Sequence, residues 1–303
     1  MTTGVALLTY GSARDAADVP AYLGRVRQGR TPSDELVAEF QRRYQLIGGS
    51  PLISITRRLA AELERQLGGD VLVEAGMRFS EPTLAQAVGR LAERGAGRVL
   101  GLILAPQYSP IIMGQYNQML EAAAAAAGLP WRMVESWHLH PRFIAVLAER
   151  LRAGLARFPA ELRDRVPVLM TAHSLPKRVV DREPGYIDML KATAEAVAGQ
   201  AGLPRERWHF AYQSAGHSPE EWLKPDMLEV LPELARAGHR AVLLAPVQFV
   251  ADHLETLFDI DIAGREQAEE AGVEHFARVP APNDSPEFAA ALAAIVRAEL
   301  SPA

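Results

Sequence analysis

Five short runs along this chain are almost wholly apolar: Val5–Leu8, Val71–Ala75, Val99–Leu104, Val166–Met170 and Ala241–Leu244. Each has the length of a strand, and none alternates polar with apolar residues. A strand of that kind is buried on both faces, as in a parallel sheet covered by helices. The stretches between the runs carry helix-start chemistry. Thr31-Pro-Ser-Asp-Glu35 offers a capping residue, a first-turn proline and acidic groups, and Leu36, Phe40 and Tyr44 follow at helical spacing. Ser80-Glu-Pro-Thr-Leu84 opens a second helix that should stop near Gly95. Ser218-Pro-Glu-Glu221 has the capping-box form, and Asp284-Ser-Pro-Glu287 starts the last helix. The alanine run from Glu121 to Gly128 reads as a helix end, with Gly128 left-handed and Pro130 blocking continuation. Strands alternating with helices define an α/β fold.

A chain of 303 residues suits one large domain or two packed lobes. A hint of internal duplication favours two, with chance similarity among apolar strands as the bland reading. Leu102-Ile-Leu-Ala-Pro-Gln107 is similar to Val242-Leu-Leu-Ala-Pro-Val247, and Val5–Tyr10 and Val166–Thr171 are both apolar strands ending in a polar loop. The expected division is an N-terminal α/β lobe over 1–155 and a C-terminal one over 156–303. If the duplication holds, strand ends from both lobes face a shared cleft, the place where open α/β sheets bind ligands.

Composition removes several classes of function. Cysteine is absent, which excludes disulfides, thiolate zinc sites and cysteine-ligated iron–sulfur clusters and fits a cytoplasmic protein. The net charge is −5 with no long basic run, so a nucleic-acid footprint is missing. No stretch approaches the roughly 20 apolar residues of a membrane span. The opening MTTGVALLTYGS lacks the charged region and long apolar run of a signal peptide. No apolar stripe is left over for a partner copy, so a monomer is expected.

The polar clusters that follow the strands are where chemistry could sit. They are Thr9-Tyr-Gly-Ser12, Pro106-Gln-Tyr-Ser109 leading to Gly114-Gln-Tyr-Asn117, Thr171-Ala-His-Ser-Leu-Pro176, and Pro246-Val-Gln-Phe-Val-Ala-Asp-His-Leu-Glu255. His173, just past an apolar strand, supplies an imidazole that can bind a divalent metal or accept a proton. Its bland reading is a histidine satisfying local backbone groups. Glu255, placed on the first turn of a helix, supplies a carboxylate that can relay protons, or merely one that favours a helix N-terminus. Asp259 and Asp261 read equally as a solvated acidic face. No G-x-G-x-x-G follows a strand, and no P-loop, H-E-x-x-H or G-x-S-x-G elbow occurs.

Taken together the clusters resemble one family, the ferrochelatases. Met170-Thr-Ala-His-Ser-Leu-Pro176 resembles the signature [FS]-[ST]-A-H-S-[LI]-P. Tyr212-Gln-Ser-Ala-Gly216 with Trp222-Leu-Lys-Pro-Asp226 resembles YQS-x-G…WL-x-P-x, and Pro246–Glu255 resembles P-[IV]-x-F-x-x-D-H-x-E. Ile47-Gly-Gly-Ser-Pro-Leu52 resembles I-G-G-x-S-P-L, one residue shorter. The resemblance runs in register over nearly the whole chain. It implies two Rossmann-like lobes, parallel sheets flanked by helices, and a porphyrin cleft between the lobes. It implies that Fe2+ enters a distorted tetrapyrrole while two pyrrole protons leave, with His173 and Glu255 as the catalytic and metal-binding pair. Asp252 and His253 would act behind that pair. No cofactor beyond the substrate Fe2+ is expected. The cluster-binding cysteine extension of the family's animal members has no counterpart here.

Tyr10 points to a subgroup. Strand one ends in Thr-Tyr-Gly-Ser, similar to the A-Y-G-T of coproporphyrin ferrochelatases, whereas protoporphyrin enzymes usually read N-x-G-G-P there. By that resemblance Tyr10 lies on the porphyrin face opposite His173 and is axial to the product iron. Arg27, Arg43, Tyr44, Ser50 and Tyr116 match positions that contact the porphyrin. The expected substrate is therefore coproporphyrin III. Alternatives are a protoporphyrin IX ferrochelatase, a chelatase for another metal such as cobalt, or a non-catalytic tetrapyrrole or metal carrier of the same fold. The expected partners are porphyrin, Fe2+ and, transiently, neighbouring enzymes of haem synthesis.

Overall fold

The computed structural model describes residues 1–216 and 219–301. It contains two four-stranded sheets whose strands all run parallel. The first sheet has the order β2–β1–β3–β4, with β1 at Thr3–Thr9, β2 at Val71–Met77, β3 at Arg98–Ile103 and β4 at Trp131–Met133. The second has the order β6–β5–β7–β8, with β5 at Val168–His173, β6 at Trp208–Gln213, β7 at Ala241–Pro246 and β8 at His275–Arg278. The two orders are the same when each sheet is numbered from its own first strand. The paired segments of the suspected duplication fall on matching strands, β1 with β5 and β3 with β7.

All five apolar runs are strands, and every residue of β1 is buried. The strands not anticipated are β4, β6 and β8. They lie at sheet edges and read Trp-Arg-Met, Trp-His-Phe-Ala-Tyr-Gln and His-Phe-Ala-Arg. An edge strand is covered less completely, so its sequence can carry polar and charged residues, as these three do, while β2, the fourth edge strand, keeps its largely apolar run.

Helices cover the sheets because their apolar residues recur every three or four positions. In Leu84–Glu93 the buried side chains are Leu84, Ala87, Val88 and Leu91, packed with Ala6, Leu8 and Val99 of the first sheet. Burying each of the larger ones contributes about 1.5–3 kcal/mol. The helix begins with a reciprocal capping box, Gln86 N–H to Thr83 Oγ1 at 3.2 Å and Thr83 N–H to Gln86 Oε1 at 2.8 Å. Ser33 and Ser285 cap the helices Asp34–Leu46 and Pro286–Leu300 through the N–H groups of Leu36 and Phe288. Gly128 adopts the left-handed conformation expected of it. The capping box expected from Ser218 begins outside the described residues; the described helix there is Met227–Arg236, boxed by Asp226 and Glu229. In the second sheet Leu169, Val242 and Leu244 pack with Met227, Leu231 and Phe276. No helix among the described residues is long and apolar enough to cross a membrane.

The chain forms two compact units whose boundaries differ from a cut at 155/156. One holds Met1–Trp137, Ala251–Leu254 and the segment from Asn283; the other holds His138–Val250 and Glu255–Pro282. Packing explains both departures. Helix Pro141–Ala156 lies on helix Pro184–Ala201 and near β7, where Gly154 faces Leu243 at a distance that leaves little room for a side chain. Helix Pro286–Leu300 returns to the first unit and packs on helix Leu52–Leu67. Gln66 Nε2 donates to the Pro286 carbonyl at 2.9 Å and Arg297 Nη2 to the Gln66 carbonyl at 2.6 Å.

The turn before helix Leu52–Leu67 carries the Ile47-Gly-Gly-Ser50 motif. Gly49 has φ +92°, and a Cβ there would sit 2.7 Å from the Arg14 carbonyl oxygen, the same atom that accepts the Ser50 N–H at 3.1 Å. Gly49→Ala is therefore expected to cost about 1–3 kcal/mol of stability, measured as a lower midpoint in urea unfolding. A midpoint equal to wild type would show that the turn relaxes freely.

Candidate active site

Parallel strands bring all their C-terminal ends to one edge of a sheet. In the second unit that edge presents His173, Gln213 and Pro246, the last residues of β5, β6 and β7. His173 is partly exposed and its backbone lies opposite Gln213 in the ladder. Its Nδ1 makes a short hydrogen bond with the Ser174 carbonyl. A carbonyl can only accept, so this nitrogen carries the proton and a neutral ring leaves the Nε2 lone pair free for other use. Nε2 lies 3.5 Å from Glu255 Oε2. That separation is an electrostatic contact rather than a good hydrogen bond. It places a carboxylate beside the atom that would bind a metal ion or take up a proton. The Phe249 ring stands edge-on to the imidazole, with centroids 6.4 Å apart.

Glu255 is the first residue of a π-helical segment, Glu255–Gly264. The expectation of a helix start at this residue holds, with the wider winding. Asp261 on the same segment is not a solvated acid: Arg278 binds both its oxygens at 2.8 Å, and the Arg278 side chain is only 8 % exposed. Asp252 and His253 belong to the first unit. Asp252 and Asn283 bond reciprocally at 2.7 Å, and His253 Nδ1 contacts the Ala251 carbonyl at 3.1 Å.

The Tyr212–Gly216 and Trp222–Asp226 motifs frame the end of β5. Ser174 N–H donates to the Gln213 carbonyl at 2.7 Å, and its hydroxyl to the Leu223 carbonyl at 3.3 Å. Thr171 donates to Gln213 Oε1 at 2.5 Å. Gly216 packs so closely on the Trp222 ring that a Cβ would come within 2.6 Å of it.

The remaining candidates lie in the first unit. Tyr10 follows β1 and is 44 % exposed, with its ring 4.7 Å from that of Phe79. Arg78, just past β2, lies 5.7 Å from the Tyr10 ring, 4.5 Å from Phe79 and 5.7 Å from Tyr116. Its guanidinium also bonds the Gln115 side chain. This cation links two candidates, Tyr10 and Tyr116, yet escaped the reading of the sequence. Its signal was the same as that of Tyr10, a polar residue directly after an apolar strand. Burial pushes the Tyr116 phenol above its ordinary pKa, with the Arg78 charge acting in the opposite direction. Arg27 is exposed at the end of helix Val19–Val26. Arg43 pairs with Glu39 at 2.7 Å and holds that carboxyl below its usual range. Ser50 Oγ accepts the Leu52 N–H at 3.4 Å.

Tyr44 is buried, and its hydroxyl meets Ser12 Oγ at 2.8 Å and accepts the Ala13 N–H at 3.2 Å. In this arrangement it holds the loop that follows Tyr10.

A parallel α/β sheet with a histidine and a carboxylate at its C-terminal edge places the molecule in the class of α/β proteins that carry polar groups at strand ends. Comparison with known proteins makes the class specific. The family model described as Ferrochelatase matches residues 2–300. A ferrochelatase of Deinococcus radiodurans is 38 % identical, over 97 % of this chain and 94 % of the relative. A coproporphyrin III ferrochelatase of Geobacillus kaustophilus is 36 % identical, over 97 % and 95 %. The chain belongs to the ferrochelatase family, metal chelatases of the lyase class. The solved structure of SirB from Bacillus subtilis with Fe3+ has a TM-score of 0.61 at 11 % identity, covering 98 % of this chain and 95 % of its own, a likeness of fold.

Tyr44→Phe removes the acceptor of one buried N–H and the partner of one buried hydroxyl. The expected loss is about 1–3 kcal/mol, read as a lower denaturation midpoint of the purified protein. An unchanged midpoint would mean that the Ser12 loop is held by other contacts.

Proposed function

We propose that this protein inserts Fe2+ into coproporphyrin III, with His173 and Glu255 performing the insertion. The observation that carries the reading is the His173 Nε2 to Glu255 Oε2 pair at 3.5 Å, with Nδ1 committed to the Ser174 carbonyl. The exchange balances: Fe2+ enters the macrocycle and two pyrrole N–H protons leave. Nε2 offers a lone pair that a proton or the ion can occupy. The Glu255 carboxylate stabilises either positive charge and accepts the proton in turn. Metal and protons compete for the same lone pairs, which couples insertion to pH. Both substrates are consumed, so no resident cofactor is required.

The substrate follows from charge. Coproporphyrin carries four propionates, and protoporphyrin carries two propionates and two vinyls. Added carboxylates call for added donors, ideally guanidinium groups that bind bidentately. Arg27 and Arg43 are the proposed propionate donors, with Ser50 and Tyr116 as further contacts. Tyr10, exposed at the end of β1, is the proposed proximal group at the product iron. The relatives named for coproporphyrin support the same choice.

His173→Ala is expected to abolish nearly all Fe2+ insertion while porphyrin still quenches protein fluorescence on binding. Glu255→Gln keeps the shape but cannot carry a proton, and should lower turnover by roughly two to four orders of magnitude. A loss below about threefold for Glu255→Gln, against that expectation for a proton-transfer group, would return Glu255 to a helix-start role.

Initial rates with the two porphyrins decide the substrate. Wild type should favour coproporphyrin III. Arg27→Ala and Arg43→Ala should each weaken its use about tenfold or more, the worth of one charge-assisted contact, and affect protoporphyrin IX less. Equal or faster turnover of protoporphyrin IX by wild type would make this the protoporphyrin enzyme.

A further inference from the structure

The position of His173 depends on a residue that lies outside the proposed catalytic pair. β5 pairs with β7 only as far as Thr171 and Pro246, and the last rung is Val247 N–H to the Thr171 carbonyl at 3.0 Å. Beyond it the chain leaves the sheet, and the N–H of His173 has no strand to bond on that side. The side chain of Gln248 takes the place of the missing strand. Its Oε1 accepts the His173 N–H at 2.7 Å. Its Nε2 donates to the Tyr186 hydroxyl at 2.6 Å. Tyr186 is 5 % exposed, on helix Pro184–Ala201, and burial pushes its phenol upward, which keeps it neutral. The His173 N–H can only donate, so it sets the amide orientation: Oε1 faces His173, and Nε2 is left to donate to the Tyr186 hydroxyl.

The other side of His173 is pinned as well. The next peptide donates from Ser174 to the Gln213 carbonyl, and the ring is tied to the Ser174 carbonyl. With both flanking peptide groups fixed, the only soft freedom left to the imidazole is χ1 and χ2, and the Nδ1 bond removes that. If the His173 N–H lost its acceptor, the peptide plane could rotate and carry Nε2 away from Glu255.

We infer that Gln248, braced by Tyr186, is a positioning residue for metal insertion: it completes the β5 ladder and holds His173 Nε2 against Glu255. This rests on His173 being the inserting group. Gln248 touches neither reacting atom, so its effect must reach the reaction through His173.

The test uses the full-length enzyme and compares Gln248→Leu, Gln248→Glu, Tyr186→Phe and the Gln248→Leu/Tyr186→Phe pair with wild type and His173→Ala. Gln248→Leu removes the acceptor and should lower kcat about tenfold to a hundredfold, the range for a displaced catalytic group, with the porphyrin KM unchanged. Gln248→Glu keeps an acceptor oxygen, because Tyr186 can turn its proton toward the carboxylate, and should recover most of the rate. Tyr186→Phe should cost less than Gln248→Leu, and should add nothing in the Gln248→Leu background. A mere packing role would lower thermal stability and move KM and kcat together, with no rescue by Gln248→Glu; that pattern overturns the inference. So does wild-type kcat in Gln248→Leu while His173→Ala is inactive. An active His173→Ala would instead remove the reading on which the inference stands, and the inference with it.

Discussion

Parallel pairing of strands buried on both faces is the constraint from which the rest of this molecule follows. Such strands cannot be joined by tight turns, so each must return through a crossover that packs on the sheet. That requirement produces the helices, and the helices produce the uniformly apolar strands by covering them. It also places the strand C-termini of each sheet on one edge, where the backbone stops pairing and polar groups are either partly exposed, as His173 is, or buried with internal partners, as Gln213 is. The candidate site residues Tyr10, Arg78, His173 and Gln213 are all strand-terminal or adjacent to a strand end. Their position is a consequence of topology before it is one of chemistry.

What could be read before the structure, and what could not, divides along the same line. Central strands are legible because full burial leaves no room for a polar residue, as in Val5–Leu8 with every side chain inside. Edge strands divide: β2 keeps its largely apolar run, whereas Trp131-Arg-Met133 owes its conformation to pairing with Val99, Leu100 and Gly101 rather than to its own composition. Helix starts at Ser33, Thr83 and Ser285 are local, hydrogen-bonded within a few residues, and so are visible in sequence. The unit boundary is not local. It was set by where Pro141–Ala156 and Pro286–Leu300 find surfaces to cover, and nothing in those segments announces the partner.

The site shows the same contrast at the scale of single atoms. His173 and Glu255 stand in motifs, and their types suit the chemistry. Their 3.5 Å approach, the tautomer set by Ser174 and the role of Gln248 depend on contacts between residues far apart in sequence. Tyr44 makes the same point. The family resemblance offers it as a porphyrin contact, and no motif announces that its hydroxyl also meets Ser12 and Ala13. A buried phenol without such partners would be costly, so burial alone requires that it find internal ones.

The two sheets have one strand order but have been put to different uses. At the first edge, Arg78 lies within 5.7 Å of the rings of Tyr10, Phe79 and Tyr116. At the second, an imidazole faces a carboxylate and is braced by neutral amides and hydroxyls from Gln213, Gln248, Thr171 and Tyr186. The first edge joins aromatic surface to a positive charge, and the second brings an imidazole and a carboxylate to 3.5 Å. The neutral bracing matters as much as the pair. Amides and hydroxyls hold the geometry around His173 without placing a further fixed charge beside it.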